Sequence, residues 1–135
     1  MLFLENNYMM ILVLISSGLM LLWSFFGNKI RGIKDVDTLA ALQLINHKNA
    51  LILDVREQKE YDNGHVLNAK LIPLGALGDR VTELEKLRAR PVVVMCRSGQ
   101  RSASAVASLN KQGFEAYNLV GGVIAWQKAG LPLEK

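Results

Sequence analysis

Cysteine is almost absent from the 135 residues: Cys96 is the only one. An internal disulfide is therefore excluded, and a lone thiol fits a reducing compartment. CxxC, GxGxxG and the P-loop pattern are all missing, which removes the signatures of a redox dithiol, a dinucleotide fold and a phosphate-cradling NTPase. The two histidines, His47 and His65, have no partner at metal-ligand spacing, so no metal site and no cofactor are expected. Internal repeats and low-complexity runs are absent too. The formal net charge is +4, yet no dense Lys/Arg run with interleaved aromatics occurs, and nucleic acid is not expected as a partner.

Charge is also missing from residues 8–26, "YMMILVLISSGLMLLWSFF". As a helix rising about 1.5 Å per residue, those nineteen residues span roughly the hydrocarbon thickness of a bilayer. A cleaved signal peptide is the alternative, but it calls for a basic start and a small-residue cleavage site, whereas this segment follows Glu5 and runs into "SFFGNK". The flanks set an orientation. Lys29, Arg31 and Lys34 follow the segment and no Lys or Arg precedes it, so the positive-inside rule predicts that everything after residue 28 is cytoplasmic. Tyr8 and Trp23 sit near its ends, and the basic residues suit anionic headgroups. The expected organisation is an anchor over 1–28, a basic connector over 29–34 and one soluble domain over 35–135, large enough for a single core.

Within that domain, Asp35 or Asp37 is the expected cap of a helix through "TLAALQLIN", with Leu39, Leu42 and Ile45 on one face. "ALILDV" reads as a buried strand, "EQKEYDNG" as a helical turn closed by Gly64, and "AKLIP" as a short strand. "DRVTELEKLR" reads as an amphipathic helix with Val81, Leu84 and Leu87 in register, stopped by Pro91. "VVVM" at 92–95 has the composition of a central parallel strand covered on both faces. A helix of small residues follows to Gly113, then "EAYNL" as a strand and "GVIAWQKAG" as a last helix closed by Gly130 and Pro132. Strands alternating with helices predict an α/β fold with a parallel sheet covered on both faces. In such sheets reactive sites lie at the carboxyl ends of strands, where Cys96 stands.

The stretch "CRSGQRS" then carries the chemistry. Arg97 and Arg101 are cationic neighbours of the thiol, and a helix begins just behind it; both features favour thiolate, the reactive form. Gly99 lets the backbone curl so that successive N–H groups form a nest for an anion. The plain alternative is a buried, inert cysteine ending a strand, but such a thiol gains nothing from two arginines.

Three motifs in order, "LDVREQKEYDNGHV", "CRSGQRS" and "LVGGVIAW", give residues 35–133 a resemblance to the rhodanese family, and the leading segment makes the whole similar to membrane-anchored single-domain rhodaneses of bacteria. The resemblance implies a three-layer α/β/α domain with a central parallel five-stranded sheet after one transmembrane helix, and a bacterial inner-membrane location. It implies sulfur transfer through a Cys96 persulfide, with Arg97, Ser98, Gly99, Gln100, Arg101 and Ser102 binding the substrate. A small anionic donor, thiosulfate or a persulfide, and a thiol or protein acceptor are the implied partners. Asp54, Arg56 and His65 are expected to be structural, with ion pairing to groups such as Glu60, and Trp126 a core anchor. Two residues depart from the family pattern: Asn68 where Gly is usual, and Leu71 where Asn is common. Related folds with a Cys-Arg loop serve phosphatases and arsenate reductases, but those resemble Cys, five residues, Arg, and here four residues intervene. A tethered carrier or binding module acting only with a protein partner is the non-catalytic alternative.

Overall fold

A computed structural model of the chain describes residues 5–30 and 32–135, and of residues 27–30 only the backbone. Arg31 and the Lys29 side chain, both part of the orientation argument, lie outside the described residues. The chain divides into two units, the first ending at Gly32 and the second Ile33–Lys135. In the first, Tyr8–Ile30 forms one helix, α1. Its segment Tyr8–Phe26 has mean hydropathy 2.2 and none of it is buried. Two of the three serines inside it return their hydroxyls to the helix: Ser16 and Ser17 donate to the Val13 carbonyl at 3.0 and 2.9 Å. That local bonding leaves neither hydroxyl seeking a partner in an apolar medium.

The second unit is built on five parallel strands: β1 (Asp35–Val36), β2 (Leu51–Asp54), β4 (Lys70–Leu71), β5 (Val92–Met95) and β6 (Ala116–Leu119), in the order β1-β6-β5-β2-β4. Side chains alternate across the pleat, so each central strand serves two cores. Leu51, Leu53, Val92, Val94 and Cys96 face one core, which is closed by α5 (Gln100–Lys111) through Ala103, Val106 and Leu109. Ile52, Val93, Met95 and Leu119 face the other, closed by α2 (Thr38–Lys48) and by Val123 and Trp126 of α6 (Gly122–Lys128). Three layers result, with continuous apolar strands in the middle, as expected of a parallel sheet covered on both sides.

Of the two caps expected for α2, Asp37 is the one used, its Oδ1 accepting from Ala40 N at 2.8 Å, while Asp35 belongs to β1 at the sheet edge. Three local features differ from the sequence reading. Leu39 is 66% exposed, and α2 packs through Ala41 with Leu42, Leu44 and Ile45 around it. Residues 77–87 start as the short α4 (Leu77–Arg80) and then tighten into a 3-10 helix, Val81–Leu87. Three residues per turn is the period that aligns Val81, Leu84 and Leu87, and it presents Leu84 fully buried to the core. A second, two-stranded antiparallel sheet pairs β3 (His65–Val66) with β7 (Leu133–Glu134). Asn68 takes φ +67, a left-handed conformation that Asn tolerates nearly alone among residues with a side chain, so it fills a turn where Gly is usual.

At the end of β2 the fully buried Asp54 carboxylate is bound by Arg56 through Nε at 2.9 Å and Nη2 at 2.7 Å. Arg56 Nη2 also donates to the Gly64 carbonyl at 2.8 Å, which ties the strand end to the segment after α3 (Gln58–Asp62). The expected partner Glu60 is engaged elsewhere, because Arg56 finds its carboxylate two residues away in its own chain. His65 stacks on Tyr61 at 3.7 Å between ring centroids and bonds through Nδ1 to the Tyr61 carbonyl. Replacing Arg56 with Met removes one side of a desolvated ion pair and leaves Asp54 buried alone, so Arg56→Met is expected to cost about 3–5 kcal/mol in urea unfolding of the full chain. Lys59→Met, on the exposed face of α3, is expected to stay within about 0.5 kcal/mol.

Candidate active site

β5 ends at Met95, and the pleat turns the next side chain, Cys96, into the core beside Val94, where the thiol is only 1% exposed. The chain must then reverse from strand to helix within three residues. Gly99 makes the reversal at φ +104 and is the residue before α5. This curl points backbone donors at the sulfur: Gly99 N–H reaches Cys96 Sγ at 3.1 Å. Ser102, one turn into α5 and fully buried, brings its Oγ to 3.4 Å from Sγ. Burial is the largest single influence on the thiol and pushes its pKa up; the Ser102 hydroxyl and the N–H groups of Ser102, Gly99 and Ser98 together outweigh it, and the thiol is held below its ordinary value.

The loop is held from the other side by its carbonyls. Val123 N–H donates to the Cys96 carbonyl at 2.9 Å and Ile124 N–H to that of Arg97 at 3.2 Å, so the first turn of α6 takes the oxygens and leaves the loop's N–H groups for the sulfur. Such an approach needs glycine. A Cβ on Gly122, at φ +55, would stand 2.2 Å from the Cys96 carbonyl oxygen. The Gly-Gly of "LVGGVIAW" is thereby explained as the seat of the loop that follows Cys96.

The six loop residues have unlike surroundings. Ser98 and Gln100 are exposed. Arg97 is exposed and makes no side-chain hydrogen bond or ion pair among the described residues; it borders a cavity of about 290 Å³ together with Glu60, Ile124 and Gln127. Arg101 is committed to Glu60 by two parallel bonds, Nη1 to Oε1 at 2.7 Å and Nη2 to Oε2 at 2.9 Å. Those bonds are the chief reason that the Glu60 carboxyl is brought down to about 2. Of the two arginines expected to meet the donor, Arg101 is thus paired and Arg97 has no ion pair among the described residues. Asp54, Arg56 and His65 lie in the neighbouring framework, with no side-chain hydrogen bond to the loop among the described residues, while Trp126 packs beneath α6 in the second core.

One residue at the site was missed by sequence reasoning. Asn118 on β6 receives the Ser102 hydroxyl at 2.6 Å and donates to the Gly99 carbonyl at 3.3 Å and to Asp35 Oδ1 at 3.1 Å. The available signal was a lone amide in an otherwise apolar strand, where a buried polar group must have partners.

A family model described as Rhodanese-like domain matches residues 37–129. A sulfurtransferase of Allochromatium vinosum is 36% identical over 103 residues, which cover 75% of this chain and 94% of that relative. A thiosulfate sulfurtransferase of Coxiella burnetii is 34% identical over 95 residues, 70% of this chain and 87% of the relative. Among solved structures, a rhodanese-related protein from Thermoplasma volcanium superposes with a TM-score of 0.66 at 33% identity, covering 75% of this chain and 97% of its own.

The contact of Gly122 with the loop gives a direct test. Gly122→Ala forces the Cys96–Arg97 backbone away and is expected to destabilise the domain by about 1–3 kcal/mol, with Cys96 alkylation moving toward the pH of an ordinary thiol. Gly78→Ala, with nothing within 4 Å of its new Cβ, is expected to do neither; thermal unfolding and alkylation against pH read both.

Proposed function

This chain belongs to the rhodanese-like domain family, and on that premise we propose that it transfers sulfane sulfur through a persulfide on Cys96. The observation that carries this reading is a buried sulfur that receives the Gly99 N–H and stands 3.4 Å from the Ser102 hydroxyl, with its thiol held below the ordinary pKa, a site suited to an anion on sulfur. In the first half-reaction the Cys96 thiolate attacks the outer sulfur of thiosulfate or of a persulfide. A new S–S bond forms, the old one breaks with its electron pair, and sulfite or a thiolate leaves. In the second half, a thiophilic acceptor attacks the outer sulfur and the Cys96 thiolate returns. The loop N–H groups receive the anionic outer sulfur between the two steps.

Arg97 suits donor capture, since its guanidinium is exposed and unpaired beside the cavity. Arg101 contributes chiefly by fixing the start of α5 through Glu60, and meets a donor only by leaving that carboxylate. Four residues between Cys96 and Arg101 make a small cradle, which favours sulfur over a phosphate or arsenate. A carrier that passes its sulfur only to a protein shares the first half-reaction and differs in the acceptor alone.

For α1 we propose a single pass through a bacterial inner membrane with the domain on the cytoplasmic side. A nineteen-residue apolar, unburied segment and the basic residues Lys29, Arg31 and Lys34 after it support that placement.

Cys96→Ser is expected to lower thiosulfate:cyanide sulfur transfer by more than about a thousandfold while the domain stays folded, because the hydroxyl is a poor nucleophile toward sulfur. Mass spectrometry after thiosulfate treatment should find one added sulfur on the wild-type chain and none on the variant; turnover near wild type would sink the persulfide mechanism. Carbonate washing is expected to leave the full chain in the membrane, and protease added outside spheroplasts to spare the domain. Cleavage from outside would reverse the topology.

A further inference from the structure

The hydrogen bonds of Asn118 determine where the proton of Ser102 lies. Asn118 is 3% exposed, and its Nδ2 faces the Asp35 carboxylate and the Gly99 carbonyl, two groups that only accept. The amide orientation is therefore forced, and Oδ1 faces Ser102 Oγ at 2.6 Å. An amide oxygen cannot donate, so the single hydroxyl proton of Ser102 goes to Asn118. What Ser102 then shows to Cys96 Sγ, at 3.4 Å, is a lone pair. That arrangement accepts the proton of a thiol and opposes a thiolate. Sheet register brings the participants together: Asn118 stands opposite Asp35 on one side and Val94 on the other.

We propose that Asn118 is a positioning residue for the sulfur chemistry: anchored by Asp35, it holds the Ser102 hydroxyl away from Cys96 in the resting thiol and releases it when the sulfur becomes an anion. The proposal rests on Cys96 being the nucleophile. When the thiol proton leaves to a solvent base, Ser102 keeps its own proton and turns it from Asn118 Oδ1 to the sulfur. Once the outer sulfur is attached, Sγ is neutral, the charge sits on the outer atom, and the hydroxyl returns to Asn118. Asn118 therefore opposes thiolate formation and favours the loaded state, with no proton passed through the amide.

Charged groups near the loop are Asp35 on β1, Asp54 at the end of β2, Arg56 just after it, Glu60 on α3, and Arg97 and Arg101. Asp54 pairs with Arg56 and Glu60 with Arg101, which leaves Asp35 and Arg97 without an ion pair among the described residues. Asn118→Leu leaves each of these charges in place; it also removes the Nδ2 bonds to Asp35 and the Gly99 carbonyl, a loss that a Ser102→Ala background shares and so cancels.

The test is alkylation of Cys96 by iodoacetamide against pH on the full chain in detergent. Asn118→Leu is expected to lower the midpoint by about one pH unit, a tenfold change in the thiol–thiolate equilibrium, because Ser102 is then free to donate to sulfur throughout. In a Ser102→Ala background the same substitution is expected to do nothing. An unchanged or raised midpoint, or an equal shift without Ser102, overturns the proposal. Should Asn118→Leu fail to fold, Asp35→Ala at the exposed edge replaces it. It is expected to lower the midpoint with a part that vanishes in the Ser102→Ala background, whereas a shift that survives whole there reflects the lost Asp35 charge alone and overturns the proposal. Alkylation needs no sulfur donor, so a wild-type chain that transfers no sulfur yet gives these shifts would sink the sulfurtransferase reading and leave this one standing.

Discussion

An anion on Cys96 loses the hydration that a surface thiolate enjoys, and it can exist in the core only where protein donors replace water. Much of the second unit is arranged around that requirement. The pleat of β5 sends the side chain inward, and a helix must follow at once for its first N–H groups to face the sulfur. Gly99 allows the reversal, and the Gly121-Gly122 turn lets α6 approach closely enough to bind the carbonyls that the reversal turns outward. Two buried motifs far apart in sequence are thus the two faces of one loop, N–H inward and C=O outward.

The charge that surrounds the loop is organised for different tasks. A guanidinium locked to a carboxylate by two short bonds carries little net field, so the Arg101–Glu60 pair acts mainly as a brace between α5 and α3. Arg97 has no such partner among the described residues, and its field reaches the cavity bordered by Ile124 and Gln127. Hydrogen bonds to the sulfur work at contact distance and do not depend on ionic strength, whereas attraction of a donor through solvent is screened within about 8–10 Å at physiological salt. On the proposed function, thiolate stability and donor capture therefore rest on separate groups.

The legible parts of the sequence were those whose signal is local and repeated. β2 and β5 are continuous apolar runs, α5 and α6 have glycine at their ends, and the loop follows β5 directly, so the α/β class and the place of Cys96 could be read off. Two-residue strands have no period to detect: β1, β3 and β7 exist because partners distant in sequence pair with them, Asp35 with Asn118 and His65 with Glu134. The 3-10 stretch after Arg80 was read as α-helix because a spacing of three residues fits both forms over two turns. At the site, sequence proximity misled in one respect. Arg101 is five residues from the thiol, which suggests that it serves the sulfur, but Glu60, forty-one residues away in sequence, pairs with it instead.

Asn118 shows why a polar residue inside a strand carries more information than its neighbours. A buried amide has two donors and an acceptor that all need partners, and each partner restricts the next. Asp35 restricts Asn118, Asn118 restricts Ser102, and Ser102 faces the sulfur, so the edge strand β1 is coupled to the reacting atom across two strands of sheet. A leucine at position 118 would be as apolar as the strand around it, but it would leave the Gly99 carbonyl without that donor and the Ser102 proton unassigned. The sheet edge that adds least to the core is in this way part of the apparatus that sets the state of Cys96.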